Sequence, residues 1–290
     1  MDFELSDDQR ALQEAARDVL TDLARARDGF GSELWKAMVD QGWLGVEVPE
    51  DVGGLGLGAV ETAVVLEELG RHVAPVPFAP VAQLAIVIAG DELYAVELDD
   101  ERRPEAEPAM DITRPLGWLR LDASTTGTRL GGRDAVDALL ERGAAFTSAE
   151  MLGAADRVLA MSVDYAKERH QFGRPIGSFQ AVKHRCADML VDVEGMRSAA
   201  YYAAWCIGAE HPDASIAAST AKVWCSDAAK RVMASGLQVH GGIGFTWEHD
   251  LHLYLKRSQL DQLRFGDASF HRDRLAALVR SRVEAGQSVV

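Results

Sequence analysis

The stretch "AAKRVMASGLQVHGGIGF", Ala228 to Phe245, ends a long Ala-rich helical run on two adjacent glycines. The doubled glycine has two readings. Glycine closes helices because it adopts positive φ without a Cβ clash. It also leaves the backbone bare, so that a phosphate-bearing ligand can approach it closely. The following residues, "GFTWEHD", place Glu248 in the same loop, a carboxylate beside anything that docks there.

The surrounding pattern is helical. "AVDALLERGAAFTSAEMLGAADRVLAMSVDYAKER", Ala135 to Arg169, predicts one long helix broken near Gly143. "SFQAVKHRCADMLVDVEGMRSAAYYAAWCIGAE" opens on Ser178 as a candidate N-cap. Two shorter helices are expected around Leu251–Leu263 and Ser269–Glu284. Long, Ala-rich, tightly connected helices are the signature of an antiparallel bundle. At the other end of the chain, Ser6 to Gln9 form a capping box, and Leu12, Ala15, Ala16, Val19 and Leu20 follow at helical spacing. Helices are expected over Ser32–Gln41 and over "AVETAVVLEELGRHV", with the glycine-rich "GWLGVEVPEDVGGLGLG" between them and a fourth over Pro80–Ala89. From Gly90 the texture changes: "ELYAVELDD" and "MDITRPLGWLRLD" alternate or carry β-branched residues between turn formers. The fold class is therefore mostly α, with a helical domain over 1–90, a short middle β-layer over 91–132 and a helical bundle over 133–290.

Composition narrows the function. Of 290 residues, 48% are hydrophobic and 26% charged, a globular balance, and the net charge is −15 with no basic run. That excludes a nucleic-acid surface and an anionic-membrane surface. Cys186, Cys206 and Cys225 form no CxxC pair and read as reduced cytosolic thiols. The acidic, amphipathic start is unlike a signal peptide. The apolar stretch "VAPVPFAPVAQLAIVIAG" is interrupted by Pro75, Pro77 and Pro80 and does not make one membrane span. A soluble, cytoplasmic protein is expected.

A second stretch, "ERHQFGRPIGSFQAVKH", Glu168 to His184, sets Arg169, Gln171 and Phe172 at the end of one helix and leads into the next. Alone it reads equally as structure: Arg169 a cation at a helix C-terminus, Phe172 and Phe179 core residues pinning the turn. Together the two stretches read differently. An arginine suited to a pyrophosphate, a phenylalanine able to cover a purine, and Gln238 and Val239 ahead of Gly241 and Gly242 make a nucleotide-diphosphate site. With "FELSDDQRALQ", "GWLGVEVPEDVGGLGLGAVETAVVLEELGR" and the closing "RFGDASFHRDRLA", they give a sequence that strongly resembles the acyl-CoA dehydrogenase family over nearly the whole chain outside the middle insert.

The resemblance implies an N-terminal helical domain, a middle β-barrel, a C-terminal four-helix bundle and FAD as cofactor. In the family each FAD lies between subunits: one barrel holds the flavin ring and the neighbouring bundle covers the adenosine and pyrophosphate. Two departures matter. The Thr-Glu-Pro and Gly-Ser-Asp segments and the Trp-Ile-Thr strand that hold the ring are missing, since "LAIVIAG" runs straight into "DELYAVELDDERR". The family's catalytic Tyr-Glu-Gly-Thr is here "FGDA", Phe265 to Ala268, without the glutamate. The resemblance implies α-proton removal from an acyl-CoA thioester by a carboxylate whose pKa burial has raised. Glu248 is the leading candidate and Asp267 the alternative; Glu248 equally reads as the acidic first turn of the next helix. The implied arrangement is a hetero-oligomer with a full-length acyl-CoA dehydrogenase partner subunit, resembling the actinobacterial enzymes acting on steroid side-chain thioesters, with electron-transfer flavoprotein as acceptor. The rival readings are a non-catalytic scaffold and an enzyme without net redox chemistry.

Overall fold

A computed structural model describes residues 4–27, 31–74, 81–122 and 125–288. The capping box at the start forms as expected: the Ser6 hydroxyl accepts the Gln9 N–H at 3.1 Å, and the Gln9 side chain accepts the Ser6 N–H at 2.9 Å. It opens α1 (Asp7–Leu23), which packs with α2 (Ser32–Asp40) and α3 (Ala59–Arg71). Leu20, Leu34, Met38, Trp43, Val65 and Leu69 form the small core of this unit.

The helix expected over Pro80–Ala89 is a strand. Pro75, Pro77 and Pro80 lie outside the described residues, and β1 runs over Leu84–Ala89, pairing antiparallel with β2 (Glu92–Glu97). Ile86, Val87 and Ile88 are β-branched, and the Gly90–Asp91 turn, with Gly90 at φ +62°, closes a hairpin with Ala89 opposite Glu92. Pairing thus overrides the helical reading, and the β-layer begins before the boundary at 90. β3 (Thr128–Gly131) completes a sheet of order β1-β2-β3. Its edge strand β1 leaves Leu84, Ile86 and Ile88 exposed on one face.

The bundle consists of α4 (Arg133–Glu168), α5 (Gln180–Gly208), α6 (Ala214–His240), α7 (Leu251–Leu263) and α8 (Ala268–Glu284). Met151, Val158, Met189, Val193, Met196, Val232 and Leu251 fill its centre. Contrary to expectation, α4 does not break at Gly143. The glycine makes room instead: a Cβ there would lie 2.3 Å from the Phe265 ring. Ser178 is not the N-cap of α5 either. That position is Phe179, and the Ser178 hydroxyl donates to the Pro175 carbonyl at 2.7 Å.

The two helical units join where α3 crosses α4. A Cβ on Gly70 would lie 1.9 Å from the Glu150 carbonyl oxygen, and one on Gly153 would lie 1.8 Å from that of Glu67. Only a hydrogen on each Cα lets the backbones come this close. Buried charge flanks the crossing on both sides. Glu67 and Glu68 are fully buried; Arg197 donates to Glu67 at 2.7 Å, Tyr201 at 2.5 Å, and Arg17 to Glu68 at 2.7 Å. On the other side, Glu150 accepts from Arg114 at 2.5 Å, Arg257 at 2.9 Å and Arg264 at 3.0 Å. Arg257 also donates to Asp111 at 2.8 Å, and Arg114 to Asp261 at 2.8 Å. Burial alone would raise the Glu150 pKa; the three guanidiniums outweigh it and hold it far below the ordinary carboxylate value. This network ties Asp111–Arg114, in the irregular connection between β2 and β3, onto α4 and α7.

Gly153→Ala is expected to lower unfolding stability by about 1–3 kcal/mol, because the methyl drives the two backbones apart. Denaturant unfolding checks it. An unchanged midpoint would mean that the crossing tolerates a wider spacing.

Candidate functional site

The helices α4 and α6 run parallel, with α5 returning between them, so both end at the same end of the bundle. Their ends are stapled together: the Tyr165 and His240 rings stack at 4.6 Å, and Gly236 lets α6 approach Val158 and Ser162 of α4. The two stretches singled out in the sequence therefore emerge side by side.

After α4, Arg169 leaves the helix in extended conformation and a two-residue ladder forms between β4 (His170–Gln171) and β5 (Arg174–Pro175). Phe172 and Gly173 make the turn, both at positive φ, +54° and +77°. A phenylalanine in the left-handed region is uncommon and strained. Phe172 is not a core residue pinning the turn: it is 91% exposed and touches Phe179 only edge to face, at 6.1 Å. Arg169 is exposed and forms no ion pair among the described residues. The Gln171 side chain donates to the His170 carbonyl at 2.8 Å.

At the end of α6, Gly241 (φ +64°) donates its N–H to the Leu237 carbonyl and closes the helix. The cap reading of the doubled glycine is therefore correct, and the bare-backbone reading stands beside it: Gly241 and Gly242 are exposed, and a Cβ on either would meet nothing within 4 Å. Gln238 is exposed, whereas the Val239 side chain is 7% exposed and turned into the bundle, leaving only its backbone to a ligand. His240 lies beneath this loop. Its Nδ1–H donates to the Gly236 carbonyl at 2.8 Å, and burial lowers its pKa, so the ring is neutral and its buried Nε2 has no hydrogen-bond partner.

Beyond the glycines, Arg27 donates to Asp250 at 2.6 Å and to the Trp247 carbonyl, tying the loop to the turn after α1. Glu248 is exposed and lies outside α7, whose N-cap position is Asp250. Thr246 and Glu248's own backbone hold its carboxyl below the ordinary value. The burial required of a base is thus absent in this chain, and any surface that raises this pKa has to be brought by another molecule. Asp267 is the N-cap of α8 and accepts the Phe270 N–H at 2.8 Å. Gly266 stands at φ +94° beside Phe265, whose ring packs onto Gly143.

An exposed arginine, an exposed aromatic ring and bare glycine backbone at one end of the bundle fit the adenosine and pyrophosphate half of a flavin dinucleotide. Both helices present carbonyl ends here, so the dipoles disfavour an anion and a phosphate at this end would depend on a cation such as Arg169. The charge network around Glu150 and Arg257 was not legible from residue pattern or spacing. The one available signal was a glutamate in the Ala-rich middle of a bundle helix.

Residues 6–97 match the family model of the acyl-CoA dehydrogenase N-terminal domain, and residues 131–279 match that of the C-terminal domain. The chain belongs to the acyl-CoA dehydrogenase family. Its fold is that of the family, its activity class is acyl-CoA dehydrogenation, and the family's cofactor is FAD. The acyl-CoA dehydrogenase IpdE2 of Mycobacterium tuberculosis is 34% identical over 264 residues, covering 79% of this chain and 81% of the relative. Among solved structures, the ChsE4-ChsE5 complex from Mycobacterium tuberculosis matches with a TM-score of 0.84 at 25% identity, over 97% of this chain and 99% of that one. The Tcur3481-Tcur3483 steroid ACAD G363A variant matches with a TM-score of 0.83 at 26% identity, over 96% and 99%. Among the described residues, no helix is long and apolar enough to cross a membrane.

Phe172→Ala is expected to change the stability of the isolated chain by no more than about 0.5 kcal/mol, as for a surface position. A loss of several times that in thermal or denaturant unfolding would return Phe172 to the core.

Proposed function

We propose that this acyl-CoA dehydrogenase chain works as one subunit of a hetero-oligomer and supplies the dinucleotide half of an FAD site shared with a full-length partner. The observation that carries this reading is the co-location of Arg169, Gln171 and Phe172 with Gln238, Gly241 and Gly242 at one end of the bundle, all of them exposed. Val239 contributes through its backbone. The other half of the site is what this chain lacks. Its middle layer is an open three-stranded sheet with apolar residues of β1 facing outward, and among the described residues no closed barrel is present to hold a flavin ring. ChsE4-ChsE5 and Tcur3481-Tcur3483 are by name assemblies of two different chains, the second a steroid enzyme, which supports a bulky acyl-CoA thioester as substrate.

Bound FAD supplies the hydride acceptor. This chain's part is to hold the phosphates with Arg169, cover the adenine with Phe172 and let the dinucleotide lie against the Gly-Gly backbone. Proton removal is assigned to Glu248, on a loop that a partner surface would bury, raising the lowered pKa toward neutrality. Asp267 is the weaker candidate because the end of α8 uses its carboxylate. The exposure of Glu248 and the glycine at position 266 also favour a second reading, in which the partner supplies the base and this chain is a non-catalytic scaffold for its neighbour. Electron-transfer flavoprotein is the proposed acceptor.

Arg169→Ala is expected to lower flavin affinity of the assembled complex roughly tenfold or more, the loss of a charge-assisted contact worth ~1.5–3 kcal/mol. Gly241→Val adds a Cβ at positive φ and is expected to do worse. Flavin content unchanged in both would place the dinucleotide elsewhere. Glu248→Gln should retain flavin and lower turnover by about 10²-fold. Full activity in that variant, with Asp267→Asn measured alongside, would move the base to the partner.

A further inference from the structure

The protein carries fifteen more acidic than basic side chains, yet five arginines and no lysine line one cleft of about 690 Å³ between the helical units. Arg17, Arg25 and Arg27 come from α1 and the turn after it, Arg71 from the end of α3, and Arg157 from the middle of α4. Among the described residues, Asp250 is the one acidic residue of the lining; the rest is His72, Tyr254 and small or apolar side chains. Three of the arginines have structural work. Arg17 is held by the buried Glu68, Arg27 by Asp250, and Arg71 by Asp156 and, at 3.5 Å, by Glu68.

The other two have no ion-pair partner among the described residues, although Arg157 hydrogen-bonds the Tyr254 hydroxyl. Arg25 and Arg157 meet no carboxylate within ion-pair distance among the described residues, although both face the cleft. Arg71 Nε is buried and meets Glu68 only at 3.5 Å, without hydrogen-bond geometry among the described residues. Burial, together with Arg71 and Arg157, lowers the pKa of His72, so this ring resists adding a further positive charge. Two guanidiniums without carboxylate partners beside three paired ones repel, and a multivalent anion between them offsets that repulsion. The planar, always-charged fork of arginine suits phosphoryl oxygens in bidentate contact, which a lysine cluster would not offer.

We propose that this cleft binds an oligophosphate anion, at a site separate from the dinucleotide contacts around Arg169. Arg25 and Arg157 grip the phosphoryl groups. The paired Arg17, Arg27 and Arg71 supply the surrounding field, and the remaining volume accommodates an organic group attached to the phosphates. Because α1, α3, α4 and α7 all reach the cleft, occupancy also clamps the N-terminal unit onto the bundle.

Calorimetric titration of the purified full chain with inorganic pyrophosphate at low salt tests this. Saturable one-site binding that weakens with added salt is expected, at least tenfold weaker in Arg25→Gln/Arg157→Gln and unchanged in Arg280→Gln on the far helix α8. Thermal melting establishes that the variants are folded, and each single substitution is expected to weaken binding on its own. ATP titrated in parallel separates the ligand sources: tighter binding than pyrophosphate assigns the rest of the cleft to a nucleoside, equal binding to phosphate recognition alone. Absence of saturable binding, or equal affinity in the folded double variant, overturns the proposal. So does loss of flavin from the assembled complex in that variant, which would merge the cleft with the flavin site; retained flavin keeps the two sites distinct.

Discussion

Everything else in this molecule is arranged around the contact between Gly70 of α3 and Gly153 of α4. Two helices approach until each glycine Cα lies against a carbonyl of the other helix, and neither position has room for a methyl. That approach brings Glu67, Glu68 and Glu150 into the interior, where their charges have to be met. Arg17, Arg71 and Arg197 meet the first pair, and Arg114, Arg257 and Arg264 meet the third. Such buried networks add little net stability, because desolvation offsets most of the attraction. Removing one member is another matter, since it strands the remaining charges at a cost of about 3–5 kcal/mol. Their effect is to fix one geometry, with the β2–β3 connection, the N-terminal helices and the bundle in a single register.

The register has a functional consequence. With α4 held along its length, its C-terminus is set beside that of α6 by the Tyr165–His240 stack. The exposed turn at Phe172 and the exposed Gly241–Gly242 backbone then form one surface. The opposite requirement of a flavoenzyme, an enclosed pocket for the ring, has no counterpart in the open sheet of β1, β2 and β3. A dinucleotide handle on one chain and a ring pocket on another is the division of labour that this asymmetry favours.

Much of the fold was legible because its signals are local. The Ser6 capping box, the helical periods of α1 to α3, the hairpin residues after Gly90 and the glycine end of α6 each depend on a few neighbouring side chains. The failures are tertiary. "LAIVIA" reads as a helix after a proline-rich stretch until β2 is there to pair with it. Gly143 reads as a helix break until Phe265 is seen to occupy its open side, and Ser178 reads as a cap until its hydroxyl is found on Pro175. The charge networks and the arginine cleft were illegible for the same reason, since Arg17, Arg71 and Arg157 are far apart in sequence. In the candidate site, residue types were legible and exposure was not: the motifs left open whether Phe172 faced the core, and gave Val239 to the ligand although its side chain points inward.

The central claim, a shared flavin site, is tested most directly by the flavin absorbance of this chain purified alone and co-purified with a full-length acyl-CoA dehydrogenase partner. A colourless chain alone and a yellow complex containing both chains are expected. A chain that retains stoichiometric FAD by itself, or a two-chain complex that stays colourless, would contradict it.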